Sequence, residues 1–315
     1  MVLDHNRTAF VFPGQGSQSV GMGAALVKSF PVARQVFEEA DAVLGFPLSR
    51  ITWEGSESEL NDTINTQPAL LVHSMAVLFV LREWRPEFRP AFVAGHSMGE
   101  FSALVAAGSL SYPDALRLVR HRGELMKEAG EKSPGGMAAV LGLDLQTVEK
   151  ICEESSQKED VVQVANDNCP GQVVISGAST ALKRAISLAQ EAGARRIRKL
   201  AVSIAAHSPL MQGIQTRFLE AIENSNLLDP RIPIIGNVSA LPLNTAREIQ
   251  ADLQAQLTSP VRWTESVQEM VSRGIRTFIE LGNGTVLSSL IKRINPEVEG
   301  ISIGNPDEFN KYLPW

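Results

Sequence analysis

The chain has 315 residues, enough for a large core and two domains. With 44% apolar and 20% charged residues it has the composition of a globular protein, and its net charge of −6 argues against nucleic acid as the main partner. Two cysteines, Cys152 and Cys169, supply neither a disulfide framework nor a metal cluster; with a polar start (Asp4-His5-Asn6-Arg7) and an apolar maximum at 69–81 too short to span a bilayer, they make a cytoplasmic protein without membrane or metal the expectation.

Residues 8–12 are an apolar run ending at Pro13-Gly14, which predicts a buried strand and a loop. Helical patterns cover 22–30 and 32–44, and 67–84 reads as a long buried helix with Pro68 in its first turn. The apolar run 91–94 then leads into Gly95-His96-Ser97-Met98-Gly99-Glu100 and a helical stretch, 101–107. A strand, a sharp turn and a helix with serine at the apex form a G-x-S-x-G nucleophile elbow; the glycines let strand and helix approach, and the helix start aims free amides beside the hydroxyl. Residues 113–129 repeat as a helix through Leu116, Val119, Gly123 and Met126.

The texture changes at Ser133-Pro134-Gly135-Gly136. Strands are predicted at 137–143, 161–165, 172–176 and 195–202, with helices at 145–154 and 180–192. This βαββαβ order matches a ferredoxin-like unit. Cys152 falls on a helix face and Cys169 in a turn before Pro170. Helices at 211–222, 246–257, 264–273 and 286–294 then alternate with extended 232–238 and a strand at 275–281. The expected fold class is α/β: a mostly parallel sheet domain of residues 1–132 and 204–315, with a ferredoxin-like subdomain inserted at 133–203.

A serine nucleophile needs a base within hydrogen-bond reach, and five histidines can be weighed. His5 lies in a mobile end, His73 in an apolar helix, His96 beside the nucleophile in the turn, and His121 on a charged helix surface. His207 stands at the return from the small domain, where loops border clefts; the alternative for it is a structural place at a helix start near Ser208. No histidine follows it and no carboxylate is evident to orient it, so a dyad oriented by a backbone carbonyl or an amide is expected rather than the acid-then-histidine order of ordinary α/β-hydrolases. The Pro13-Gly14-Gln15-Gly16-Ser17-Gln18 loop lacks the Lys-Ser/Thr end of a phosphate loop, which leaves an oxyanion role.

These residues resemble the malonyl-CoA:acyl-carrier-protein transacylases. The resemblance is carried by residues 10–18, the elbow, Arg122-Gly123, 165–168 with 172–177, His207, and 257–263. It implies a hydrolase-like α/β domain with an inserted ferredoxin-like subdomain. It also implies Ser97 as acylated nucleophile, His207 as base, the backbone N–H groups of Gln15 and Met98 as oxyanion hole, and Arg122 as partner of the malonyl carboxylate. Gln256 matches a position that helps to orient the histidine; it and Asn166 are grouped with Arg122 at the substrate. The implied reaction is ping-pong malonyl transfer from malonyl-CoA to acyl carrier protein, in fatty-acid or polyketide synthesis, with no cofactor beyond the CoA thioester. A monomer is expected, with docking near Arg195, Arg196, Arg198 and Lys199. The rival readings are a hydrolase of carrier-bound acyl chains, a non-catalytic carrier-binding module, and transfer of another extender such as methylmalonyl, since Ile204-Ala205-Ala206 before His207 departs from the familiar specificity tetrads.

Overall fold

The structure, a computed structural model, describes residues 4–200, 202 and 204–312. β1 (Thr8–Phe12) is buried at every position, which is why its sequence is apolar without alternation. Phe10 and Phe12 feed the core on one side of the sheet, Ala9 and Val11 the core on the other. His5, expected in a mobile end, instead sits in a short 3-10 turn with its ring 4.8 Å from that of Phe88.

Four helices follow: α1 (Ala24–Ser29), α2 (Pro31–Leu44), α3 (Leu48–Glu54) and α4 (Glu57–Asn61). α3 and α4 went unpredicted because pieces of one to two turns show no period. α5 (Thr63–Trp84) starts earlier than expected, capped by the Asp62 side chain, so Pro68 lies inside it rather than in its first turn. The Ile64 carbonyl, which Pro68 cannot serve, accepts Arg120 Nη1 at 3.1 Å. α5 is long and apolar enough to cross a membrane, but it is buried as the central core helix. β2 (Phe92–Gly95) pairs in parallel with β1 and leads through the elbow into α6 (Gly99–Ala107) and α7 (Tyr112–Lys132).

The small domain holds β3 (Gly135–Leu141), α8 (Leu145–Ser155), β4 (Val162–Cys169), β5 (Gln172–Ala178), α9 (Ser179–Glu191) and β6 (Arg196–Lys199). Its strands are antiparallel in the order β4-β5-β3-β6, the ferredoxin-like arrangement, around a core of its own. Part of the predicted last strand and return, at 201 and 203, lies outside the described residues. β4 runs four residues beyond its predicted end; the polar Asn166-Asp167-Asn168 masked it, and its register shifts twice there. That end crosses to the large domain: Val261 N–H donates to Ala165 O at 2.8 Å and Asp167 N–H to Val261 O at 3.0 Å. Cys169, expected in a turn, is the buried end of this strand, packed in the large domain's core with Val261 and Trp263. Cys152 fills the inner face of α8 as expected.

The large domain resumes with a 3-10 turn at Pro209–Ile214, then α10 (Gln215–Glu223), β7 (Ile234–Ile235), β8 (Pro242–Leu243), α11 (Ala246–Gln256), α12 (Trp263–Ser272), β9 (Thr277–Leu281), α13 (Val286–Ile294), β10 (Glu299–Ile303) and α14 (Pro306–Tyr312). β7 is shorter than the predicted 232–238 because Gly236 and Asn237 turn away toward the elbow. β10 and α14 were not predicted. The sheet order is β10-β9-β1-β2-β7-β8, parallel except for the β7–β8 pair. The loops after β1 and β2 therefore emerge side by side at the sheet's carboxyl edge, where ligands of open α/β sheets bind.

Candidate active site

A Cβ on Gly95 would lie 2.0 Å from the carbonyl of Gly99, and one on Gly99 would lie 2.2 Å from Phe12 O. Only glycine allows strand, turn and helix this close. Ser97 at the apex is held at φ 52°, in the left-handed region that a non-glycine residue adopts at a cost. The brace is Asn237, which sequence reasoning missed: its Oδ1 accepts the Ser97 N–H at 2.8 Å and its Nδ2 donates to Gly95 O at 2.8 Å. Asp252 holds this segment in turn, accepting the N–H groups of Asn237, Val238 and Ser239 at 3.1–3.3 Å.

His207, also at positive φ (57°), is buried with Nε2 2.8 Å from Ser97 Oγ and Nδ1 2.8 Å from Gln256 O. A carbonyl can only accept, so Nδ1 carries the hydrogen and Nε2 turns its lone pair to the serine. This is the serine–histidine pair expected from the sequence, oriented by a backbone carbonyl. Burial, and next the Arg122 charge, push His207 down to about 3, so the ring is a neutral base at ordinary pH. Gln163 of β4, also missed, donates to both His207 O (2.8 Å) and Thr258 O (2.9 Å) and ties the small domain to the histidine loop.

Arg122 is 2% exposed and points from α7 to the serine, with Nη2 3.3 Å from Ser97 Oγ. Nη1 donates to Gln67 Oε1 and Nη2 to Gln256 Oε1, both at 2.9 Å, while Nε has no partner among the described residues. Burial lowers its pKa to about 10, which leaves it charged at neutral pH. Gln256, grouped with the substrate residues from sequence, instead sits behind Arg122 and His207, where its side chain also donates to Ser97 O at 3.2 Å and to Glu100. It positions the site from within the protein, because α11 ends there under the elbow.

Of the other histidines, His73, His96 and His121 fall where the elimination put them, while His5 is held against Phe88 instead. His73 is buried against Gly304 O (2.9 Å) and pushed down to about 4; His96 turns its Nε2 to Asn168 Oδ1 at 2.8 Å; His121 lies 3.9 Å from Glu124 on an outer face.

Ser97, His207 and Arg122 open into a cleft of about 360 Å³ between the domains. Gln15 and Met98 line it from the two loops, Asn166 and Arg198 from the small domain, and Ile204 and Ala206 beside the histidine. The loop after β1 is pressed onto the elbow: a Cβ on Gly14 would lie 2.4 Å from His96 O. No hydrogen bond among the described residues takes up the N–H of Gln15 or Met98. Arg195, Arg196, Arg198 and Lys199 are exposed on or beside β6.

Residues 9–302 match the acyl transferase domain family. The malonyl CoA-acyl carrier protein transacylase of Bacillus subtilis is 44% identical over 302 residues, covering 96% of this chain and 95% of its own, and that of Haemophilus influenzae is 43% identical, covering 96% of each. The crystal structure of the malonyl-CoA:acyl carrier protein transacylase from Xanthomonas oryzae pv. oryzae superposes with a TM-score of 0.94 at 42% identity, covering 99% of this chain and 98% of that one. A type II polyketide-synthase malonyl-transacylase, solved with its acyl carrier protein, gives 0.94 at 40% identity, covering 98% and 99%. With an elbow serine, a buried neutral histidine and a buried arginine meeting at one cleft, and with relatives matching over nearly their whole length, this chain belongs to the acyl transferase family as one of its malonyl-CoA–acyl carrier protein transacylases.

Proposed function

We propose that this enzyme transfers a malonyl group from malonyl-CoA to the phosphopantetheine thiol of acyl carrier protein through an ester on Ser97. The observation that carries the assignment is the buried Arg122 cation 3.3 Å from the nucleophilic oxygen. His207 Nε2 takes the Ser97 proton as Oγ attacks the thioester carbon. The oxyanion is held by the amides of Gln15 and Met98, an electrostatic contribution that typically exceeds any other single one in acyl transfer. The C–S bond breaks, the proton passes from His207 to the CoA sulfur, and malonyl-Ser97 remains. In the second half His207 takes the proton of the incoming pantetheine thiol, the sulfur attacks the ester, and Ser97 Oγ recovers the proton. Every transfer uses side chains and amides of the chain itself.

Arg122 gives the malonyl carboxylate a planar, desolvated donor pair. Asn166, which lines the same cleft from the small domain, is assigned a supporting polar contact with the acyl group. The test is the intact mass of purified carrier protein after incubation with enzyme and malonyl-, methylmalonyl- or acetyl-CoA, with Ser97→Ala as control. A malonyl increment that requires Ser97 is expected. Release of CoA and free malonate without an increment would turn the assignment to hydrolysis.

A further inference from the structure

Beneath the elbow lie two acidic side chains that the transfer scheme does not use. Glu100, the second residue of α6, is 0% exposed. Its Oε2 accepts Gln256 Nε2, while its Oε1 is buried with no donor reaching it among the described residues. The Asp252 carboxyl is the acidic neighbour whose charge and hydrogen bonding both act to raise the pKa of Glu100. Asp252 is itself pushed upward by burial, but three backbone amides donate to it and pull toward its ionised form, a pull that Glu100 lacks. Two carboxylates in contact in a buried site cannot both ionise.

We propose that Glu100 is a positioning residue held as a neutral carboxylic acid, its proton shared with Asp252, and that this leaves the Arg122 charge free for the substrate's carboxylate. The hydrogen on Glu100 meets Asp252, and its other oxygen accepts from Gln256. That contact fixes the Gln256 amide so that its Oε1 faces Arg122 and its backbone carbonyl faces His207 Nδ1. An ionised Glu100 would partner Arg122 internally and repel an incoming malonyl carboxylate. Burial, then the charge of Asp252, push the Glu100 carboxyl well above the usual range, against the opposing pull of Gln256 and Arg122.

This inference rests on Arg122 being the carboxylate's partner, so its test separates the two. Infrared difference spectra of the resting enzyme at neutral pH, without substrate, read the proton directly. A protonated carboxylic-acid carbonyl band present in wild type and lost in Glu100→Gln is expected. No such band, or one that survives the substitution, overturns the proposal whatever acyl group the enzyme carries. Kinetics read the positioning. Glu100→Gln, whose amide can donate to Asp252 and accept from Gln256, is expected to keep at least about a third of kcat/KM with unchanged malonyl-over-acetyl selectivity, while Glu100→Ala loses about tenfold or more. A glutamine variant as impaired as the alanine variant, or with collapsed selectivity, would mean that the negative charge is what matters.

Discussion

A carboxylate reaching the guanidinium of Arg122 meets a buried cation, with one nitrogen unpartnered among the described residues. With acetyl bound, that cation lacks its partner, which typically costs about 2–5 kcal/mol. Arg122→Ala should therefore lower kcat/KM for malonyl-CoA by ~30-fold to several thousand-fold, while acetyl transfer survives or rises; equal losses on both substrates would remove Arg122 from the account. The same charge acts on His207, being second only to burial in lowering its pKa to about 3. The free enzyme's acid limb should thus lie far below the ordinary histidine value of about 6.5. Removing the positive charge of Arg122 makes protonation of His207 easier, so in Arg122→Ala the limb should move upward. Burst release of CoA as a function of pH reads both positions, and a limb unmoved by the substitution would deny the coupling. The stability sign follows: between pH 3 and 6.5 the unfolded histidine holds a proton that the native one does not, so acid in that window weakens the fold.

Helix α7 crosses the start of α5 at Gly123, where a Cβ would lie 2.9 Å from both Ile64 Cα and Thr63 O. That crossing sets the height of the neighbouring Arg122 beneath the serine and brings Gln67 of α5 to its Nη1. Gly123→Ala must push the helices apart, an overpacking that costs about 1–3 kcal/mol. It should lower Tm by ~2–4 °C per kcal/mol and raise KM for malonyl-CoA more than for acetyl-CoA, because the guanidinium moves while the dyad does not. A lowered Tm with an unaltered KM ratio would confine Gly123 to stability. The parts of the site that were legible in sequence are those written locally: the elbow with its two glycines, the apolar repeat that turned Arg122 inward, and the βαββαβ unit. Asn237, Gln163, Glu100 and Asp252 were not, since each acts by meeting a residue far along the chain. Asn237, for instance, reads as strand from sequence and works only where β7 ends beside Ser97. The part of Gln256 in orienting His207 came from the resemblance, and its backbone carbonyl does meet Nδ1; its side-chain contacts with Arg122 and Glu100 had no local signal. In the fold, β10 and α14 escaped because each is a short piece of unremarkable pattern, five and seven residues long.

Both half-reactions use one cleft, so a small thioester and a whole protein must present their thiols to the same serine. The two sides that flank it are joined by β4, whose end bonds to Val261 and whose Gln163 holds the histidine loop. Its small-domain side carries Arg195, Arg196, Arg198 and Lys199 on a chain of net charge −6. We propose that the carrier docks on this strip, since a strip of one sign on a body of the other would steer an acidic partner to one orientation and repel it elsewhere. Of the four, Arg198 lines the cleft itself, where it would act on CoA as well. Arg195 and Arg196 are exposed and do not line the cleft, so they separate docking from chemistry. Reversing both, Arg195→Glu with Arg196→Glu, should raise KM for the carrier protein several-fold, leave CoA release in the first half-reaction unchanged, and flatten the dependence of carrier KM on salt, because screening then has less attraction to remove. A carrier KM that stays put at low ionic strength would mean that the carrier approaches over another face, and that the basic strip is only solvated surface.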